Sequence, residues 1–159
     1  MKEAMPPIVD DQTAILILGS MPGEKSLSHQ QYYANRGNHF WKLMFSVFGM
    51  EFTFDYSARL QLLKEQRIGL WDVLAYCERE GSLDSNIKNE AANDFGLFIA
   101  KHPTIRHIVF SSKAAEKYYF KYSKSFDGIT YHVLPSPSGA NAGKTFAEKL
   151  EVWQILVRL

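Results

Sequence analysis

Ala14-Ile15-Leu16-Ile17-Leu18-Gly19-Ser20-Met21-Pro22-Gly23 decides the fold of this chain. An apolar run this short, stopped by a Gly/Pro turn, has the pattern of a strand buried on both faces. A polar, aromatic loop follows and ends at Asn38-His39-Phe40-Trp41, where a second apolar stretch begins. A strand end that opens into such a turn is where open α/β sheets place ligand sites. Near the other end, Leu134-Pro135-Ser136-Pro137-Ser138-Gly139 repeats the design: apolar strand, small-residue turn, then helix. Two such loops at one sheet edge would make a single cleft.

Outward from that strand, Phe40, Trp41, Met44, Phe45 and Phe48 recur at helical spacing, with Gly49 as a stop. Asp55 is placed to cap a second helix through about Arg67, with Leu60 and Leu63 inward. Ile68 to Leu74 reads as the next strand, and Glu78 to Ile87 as a polar loop. Asn93 or Asp94 caps a helix that ends before Pro103. Arg106 to Phe110 is a strand, Lys113 to Tyr122 a helix, and Ile129 to Leu134 a fourth strand. The last helix, from about Lys144 to Val157, carries Phe146, Leu150, Trp153 and Val157 on one stripe. Strands alternating with helices imply a mainly parallel sheet covered on both faces. The expected fold is α/β, a three-layer α/β/α sandwich with about four strands, and residues 1–159 form one domain.

Composition narrows the function. No apolar run is long enough to span a membrane, and the N-terminus has no signal-peptide pattern. Cys77 is the one cysteine, so neither an internal disulfide nor a thiolate-held cluster is expected, and a cytoplasmic protein fits. A net charge of +1 argues neither for nor against nucleic acid: wrapping binders are usually strongly basic, whereas an enzyme that grips a few phosphates with loop amides need not be. Aromatic residues make up 14%, and tyrosines near polar loops could stack on bases.

Several familiar chemistries fail on spacing. Gly19 to Ser26 lacks the four residues between glycines that a P-loop needs, and Glu24 would repel a triphosphate. A plain strand-to-helix turn explains the glycines alone, but not the long polar-aromatic loop after them. No G-x-S-x-G elbow is present. His29, His39, His102, His107 and His132 show no metal-ligand spacing and read as surface or satisfied core. Asp72 and Asp84 could pair as carboxylates, but Asp72 lies in an apolar strand and could simply bond nearby backbone.

Gly19-Ser20-Met21-Pro22-Gly23, Asn38-His39-Phe40-Trp41 and Leu134-Pro135-Ser136-Pro137-Ser138 together resemble the uracil-DNA glycosylase superfamily. They are most like its hypoxanthine-DNA (deoxyinosine) glycosylase branch, with the mismatch-specific uracil glycosylases as cousins. The likeness extends in order through Trp71-Asp72-Val73 and Gly81-Ser82-Leu83-Asp84-Ser85. It implies a DNA repair enzyme that flips a deaminated base, hypoxanthine and also uracil, out of DNA and hydrolyses its N-glycosidic bond. In the cousins the third residue of the first motif is a water-positioning Asn, and Met21 stands there. A thioether cannot orient water. The hypoxanthine branch uses the Asn of the N-x-F-W segment instead, which is Asn38.

By the same carry-over Tyr33 stacks on the extruded base, with Gly19, Ser20, Met21 and Phe40 around it. Ser136 holds a phosphate beside the damage, and Pro137, Ser138 and Gly139, following Pro135, form the loop that enters the vacated stack. Phe110-Ser111-Ser112 departs from the pattern, since close relatives carry Asn-Gly there. The expected partner is double- or single-stranded DNA containing a deaminated base. The protein is expected to be a monomer that needs no metal and no organic cofactor.

Base flipping costs a few kcal/mol, least for a mispaired base, which suits deaminated targets. Cleavage leaves negative charge on the base, so preorganised donors aimed at it accelerate departure. Asn38 is not a true base; its amide oxygen can orient water or its NH2 can bond the base, the first being favoured here. His39 is a rival for proton transfer, although its place at a helix start turns it elsewhere. Two other readings stand beside this one: a catalytically inactive damaged-DNA-binding module, for which Met21 is the best support, and a hydrolase of free nucleosides.

Overall fold

The computed structural model describes residues 1–141 and 143–159. The chain runs through β1 (Lys2–Glu3), β2 (Ile15–Gly19), α1 (Glu24–His29), α2 (Phe40–Val47), α3 (Tyr56–Glu65), β3 (Ile68–Asp72), β4 (Leu74–Glu78), β5 (Lys88–Ala92), α4 (Phe95–Lys101), β6 (His107–Phe110), α5 (Lys113–Tyr122), β7 (Thr130–Val133) and α6 (Phe146–Trp153). Four of the strands form a parallel sheet in the order β3-β2-β6-β7. Ile17 of β2 pairs with Leu70 on one side and Val109 on the other. This central position explains the unbroken apolar run, because both faces of β2 are covered.

Successive strand side chains point to opposite faces, and the core divides accordingly. Ile15 and Ile17 pack with Phe40, Met44, Leu63 and Trp153 from α2, α3 and α6. Leu16 and Leu18 pack with Phe95, Phe98, Ala115 and Tyr119 from α4 and α5. The three-layer α/β/α sandwich expected from the alternating pattern is therefore what forms. Asp55 caps α3 by accepting from Ser57 N at 3.2 Å, and Asp94 caps α4 by accepting from Leu97 N at 3.0 Å.

Three details differ from expectation. The run Ile68 to Leu74 is not one strand: β3 ends at Asp72, and β4 joins an antiparallel sheet ordered β1-β4-β5. Across the break, Val73 N donates to Gly19 O at 2.8 Å and Leu74 N to Ser20 O at 3.0 Å. The strand thus changes sheets while staying laced to the first motif. Within the expected loop, Glu24 to His29 winds into a short helix whose first N–H donates to Ser82 Oγ at 2.9 Å. The last helix is also shorter, running from Phe146 to Trp153 and then tightening into a 3₁₀ turn, Gln154–Arg158. Three residues per turn rotate Val157 off the buried stripe, and it is 56% exposed. Among the described residues no helix is long and apolar enough to cross a membrane.

Candidate active site

In a parallel sheet all strands finish at the same edge. Here β2 delivers Gly19-Ser20-Met21, β3 delivers Asp72, β6 is followed by Ser111-Ser112, and β7 by the Pro135 to Gly139 turn. Apart from Pro135, these residues line one cavity of about 720 Å³, together with Tyr33 and Asn38. The volume is within the range of small-molecule sites.

The early and late loops meet across this cavity. His39 N donates to Pro137 O at 2.7 Å. A Cβ placed on Gly139 would stand 2.8 Å from Gly37 O, so the backbones touch and only glycine fits without movement. Lys149 of α6, with 1% exposure, reaches beneath the junction; its Nζ donates to Ser138 O at 3.2 Å and lies 3.4 Å from His39 Nδ1. Burial, then the positive charges of Lys149 and Lys42, hold the His39 imidazole below its usual range. His39 does not line the cavity, and its ring packs edge-on against Phe146.

Asn38 sits at the entrance to α2. Its Oδ1 accepts from Phe40 N at 2.9 Å, a turn that starts the helix and fixes the carboxamide. Among the described residues its NH2 has no protein partner. The oxygen favoured for water is thus already engaged by one backbone N–H, and the donor end is what the side chain leaves available.

Tyr33 takes a left-handed backbone conformation, φ 53°, uncommon for a residue with a side chain. Its ring lies flat on Phe40, with centroids 3.8 Å apart and planes 11° apart. Its hydroxyl is 3.1 Å from Ser111 Oγ. Phe40, grouped by sequence with the base-contacting residues, is fully buried and does not line the cavity. As the first residue of α2 it points into the core, so it backs the Tyr33 ring rather than reaching a base.

Gly19 is the floor. A Cβ there would stand 2.7 Å from Asp72 Oδ1, 3.4 Å from the Tyr33 hydroxyl and 3.7 Å from Ser111 Oγ, so three polar side chains converge on its Cα. Ser20 turns to the side and donates to Asp84 Oδ1 at 2.7 Å. Met21, 7% exposed, lines the cavity while packing into the apolar cluster beneath it, and it offers no group to orient water.

In the late loop Ser136 Oγ accepts from Ser138 N at 3.2 Å, leaving its O–H free to donate outward. Pro135 does not reach the cavity; its carbonyl accepts from Trp153 Nε1 at 2.9 Å and anchors the loop. Pro137 is buried, so Gly139 and Ala140 are the exposed crest of this loop.

Comparison with known proteins places this architecture. The family model described as the uracil DNA glycosylase superfamily matches residues 6–157. The chain belongs to that superfamily. A curated relative from Methanosarcina acetivorans, named hypoxanthine DNA glycosylase, is 40% identical over 161 residues, covering 99% of this chain and 98% of the relative. Another of the same name, from Methanosarcina barkeri, is 39% identical and covers 88% of each. A solution NMR structure of a candidate uracil DNA glycosylase from Methanosarcina acetivorans superimposes with a TM-score of 0.79 at 38% identity, over 98% of both chains.

Some residues that shape this glycosylase-superfamily site escaped sequence reading. Arg79 lies within Glu78-Arg79-Glu80, which looks like a solvated loop, yet it is 7% exposed. Its guanidinium donates to the Pro22 carbonyl of the first motif and lies 3.9 Å from Asp84. Lys149 sits in a charged stretch of an amphipathic helix and gave no sign of burial. Asp72 shows in the sequence as half of a possible carboxylate pair and within the Trp71-Asp72-Val73 likeness, neither of which reveals its place on the cavity floor.

Proposed function

We propose that this protein is a monofunctional DNA N-glycosylase that swings a deaminated base, hypoxanthine first and uracil second, out of DNA and hydrolyses its N-glycosidic bond. The product is an abasic site. One observation carries the reading: the carboxamide of Asn38 and the ring of Tyr33 line the same cavity between two loops that touch backbone to backbone. The preference for hypoxanthine rests on the two curated relatives, which carry that activity in their names.

Tyr33 stacks on the extruded base, an interaction worth roughly 1–3 kcal/mol that tolerates purine and pyrimidine alike. The Asn38 NH2 donates to the base as negative charge develops on it, which is where a fixed donor lowers the barrier most. The second lone pair of Oδ1 can still accept a hydrogen bond from the attacking water and orient it. Ser136 and Ser138, with Gly139 at the crest, hold the DNA backbone beside the damage through hydroxyl and main-chain N–H groups. That mode suits a chain of net charge +1. Every group named comes from one chain, so a monomer suffices. The buried, free thiol of Cys77 fits a reducing, cytoplasmic setting.

The test is a panel of duplexes, each with one hypoxanthine, uracil or xanthine, scored for strand scission after heating in alkali. Scission at hypoxanthine is expected first. Tight binding to the inosine duplex without scission would instead support the inactive binding module. Cleavage of free nucleosides, unaffected by duplex DNA, would move the protein to the nucleosidase class.

A further inference from the structure

At the floor of the cavity lies a titratable group that the roles above leave unused. Asp72 ends β3, is 5% exposed and lines the cavity, and its Oδ2 is buried with no hydrogen-bond partner among the described residues. Its backbone is fixed from two sides, since Asn93 Nδ2 donates to its carbonyl at 2.8 Å and Val73 N to Gly19 O at 2.8 Å. An ionised carboxylate with an unpartnered buried oxygen is costly, whereas a neutral carboxylic acid is tolerated there. Asp84, a second of the three carboxylates on this cavity with Asp72 and Glu24, differs: it accepts from Ser20 Oγ and faces the Arg79 guanidinium.

We infer that Asp72 is the general acid of the reaction, delivering its carboxyl proton to N7 of the extruded hypoxanthine as the base departs. This rests on the glycosylase reading given above. The C1′–N9 bond breaks with its electron pair passing into the purine ring. The Asp72 proton goes to N7, so the base leaves as a neutral tautomer. Water adds its oxygen to C1′, and the proton it sheds restores the carboxyl. Water and deoxyinosine are consumed, hypoxanthine and an abasic sugar are formed, and no co-reactant is needed.

The surroundings agree with a carboxyl kept protonated near neutrality. Burial, then the negative charge of Asp84, push the Asp72 carboxyl up to about 7, with Arg79 pulling the other way. The remaining polar groups facing it are the Tyr33 and Ser111 hydroxyls, which meet it at Gly19, and the buried Tyr32 phenol. Burial and the charge of Asp72 hold the Tyr33 phenol above its ordinary value, so it stays protonated and is a poor proton source. Asn38 has no proton to give, and His39 lies outside the cavity. A general acid works best when it titrates close to the working pH.

The experiment compares single-turnover rates for wild type, Asp72→Asn and Asp72→Ala from pH 5.5 to 8. The duplexes carry either deoxyinosine or 7-deaza-2′-deoxyinosine, in which a C–H replaces N7. Wild type on deoxyinosine should slow above about pH 7, by up to tenfold per pH unit. That limb should vanish in Asp72→Asn, which cannot lose a proton, and the rate should fall at least 10-fold at pH 6. On the deaza substrate wild type and both variants should agree within about threefold, because no N7 remains to receive the proton. Equal losses on the two substrates, or a falling limb that survives in Asp72→Asn, would overturn the assignment. If wild type leaves the deaza duplex intact, the limb alone decides. If wild type releases no hypoxanthine at all, the glycosylase reading fails, and that outcome is distinct from either.

Discussion

Both walls of the cleft are pinned by a buried tryptophan: the Trp41 indole donates to the Tyr32 carbonyl at 2.8 Å, and the Trp153 indole to the Pro135 carbonyl at 2.9 Å. Beyond that shared device they are built from different materials. The early wall is braced by side chains: Ser26 Oγ accepts from Ala34 N, the Tyr56 hydroxyl accepts from Tyr32 N, and Phe40 lies flat under Tyr33. The late wall is braced by its own turns, through Ser136 and Ser138, and by the buried ammonium of Lys149. An aromatic, side-chain wall holds a fixed ring and a fixed carboxamide, as chemistry at one atom requires. A small-residue wall exposes hydroxyls and main-chain N–H groups, which suits a partner that is mostly phosphate.

If the early wall carries the chemistry, its largest effect comes from Asn38. Asn38→Ala should lower single-turnover release of hypoxanthine by about 100- to 1000-fold while duplex affinity changes little. Asn38→Asp sharpens the point, because a carboxylate can still accept from Phe40 N but has no N–H to offer. A loss as large as that of alanine assigns the work to the NH2, whereas retained activity assigns it to the oxygen and water. Equal loss of binding and turnover in Asn38→Ala would make the residue structural.

The late wall should break differently. In Gly139→Ala the new methyl would stand 2.8 Å from Gly37 O, and the two backbones must part. The expected cost is roughly 1–3 kcal/mol of stability, with duplex binding falling more than the rate of the bound complex. Denaturant unfolding and a binding isotherm check this. Unchanged binding would mean that the late wall does not touch DNA.

Lys149→Met probes the same wall more gently. Methionine fills a similar space without a buried ammonium to desolvate, but leaves Ser138 O without that donor. These effects oppose, and the net change in stability should stay within about 1–2 kcal/mol. If that turn meets phosphate as proposed, duplex affinity should weaken about two- to fivefold as the positive charge beneath it disappears.

The smallest effect is a pH slope at the seam between the walls. The His39 imidazole titrates below its ordinary value in the folded protein, and so does His132, through burial and then the charge of the neighbouring His107. The unfolded chain therefore takes up protons first as pH falls. Stability from these groups is complete above about pH 6.5 and is lost as pH drops through their folded values. In an Asp72→Asn background, which removes the opposite slope of that raised carboxyl, thermal unfolding should begin a few degrees lower at pH 5.5 than at pH 7.5, and His39→Gln should remove part of that difference. A midpoint higher at pH 5.5 would reverse the sign.

The layered fold was legible because β2 is apolar on both faces and helices α2 and α5 carry clear stops, at Gly49 and after Tyr122. The second sheet was not. Lys88-Asn89-Glu90-Ala91-Ala92 has a polar pattern that gives no strand period, and β5 is ordered by pairing with β4. The break at Val73 was hidden for a related reason: Ile68 to Leu74 stays apolar while the chain passes from one sheet to the next. At the site, motif spacing brought Tyr33, Asn38 and Ser136 to one cavity. It did not separate Tyr33 from Phe40, since residues at a helix start can face core or solvent. The burial of Arg79 and Lys149 depends on partners far along the chain, 57 residues away for the Pro22 carbonyl and 110 for His39.

The contact between Gly37 and Gly139 joins main chain to main chain, and this has a bearing on how such an enzyme could be retuned. Where two peptide segments abut, the gauge of an opening is set by covalent geometry rather than by the bulk of whatever side chains border it. Repertoire changes, whether by drift or by laboratory selection, would then have to come from side chains that line the hollow, such as Ser111, rather than from the glycine contact that spans it.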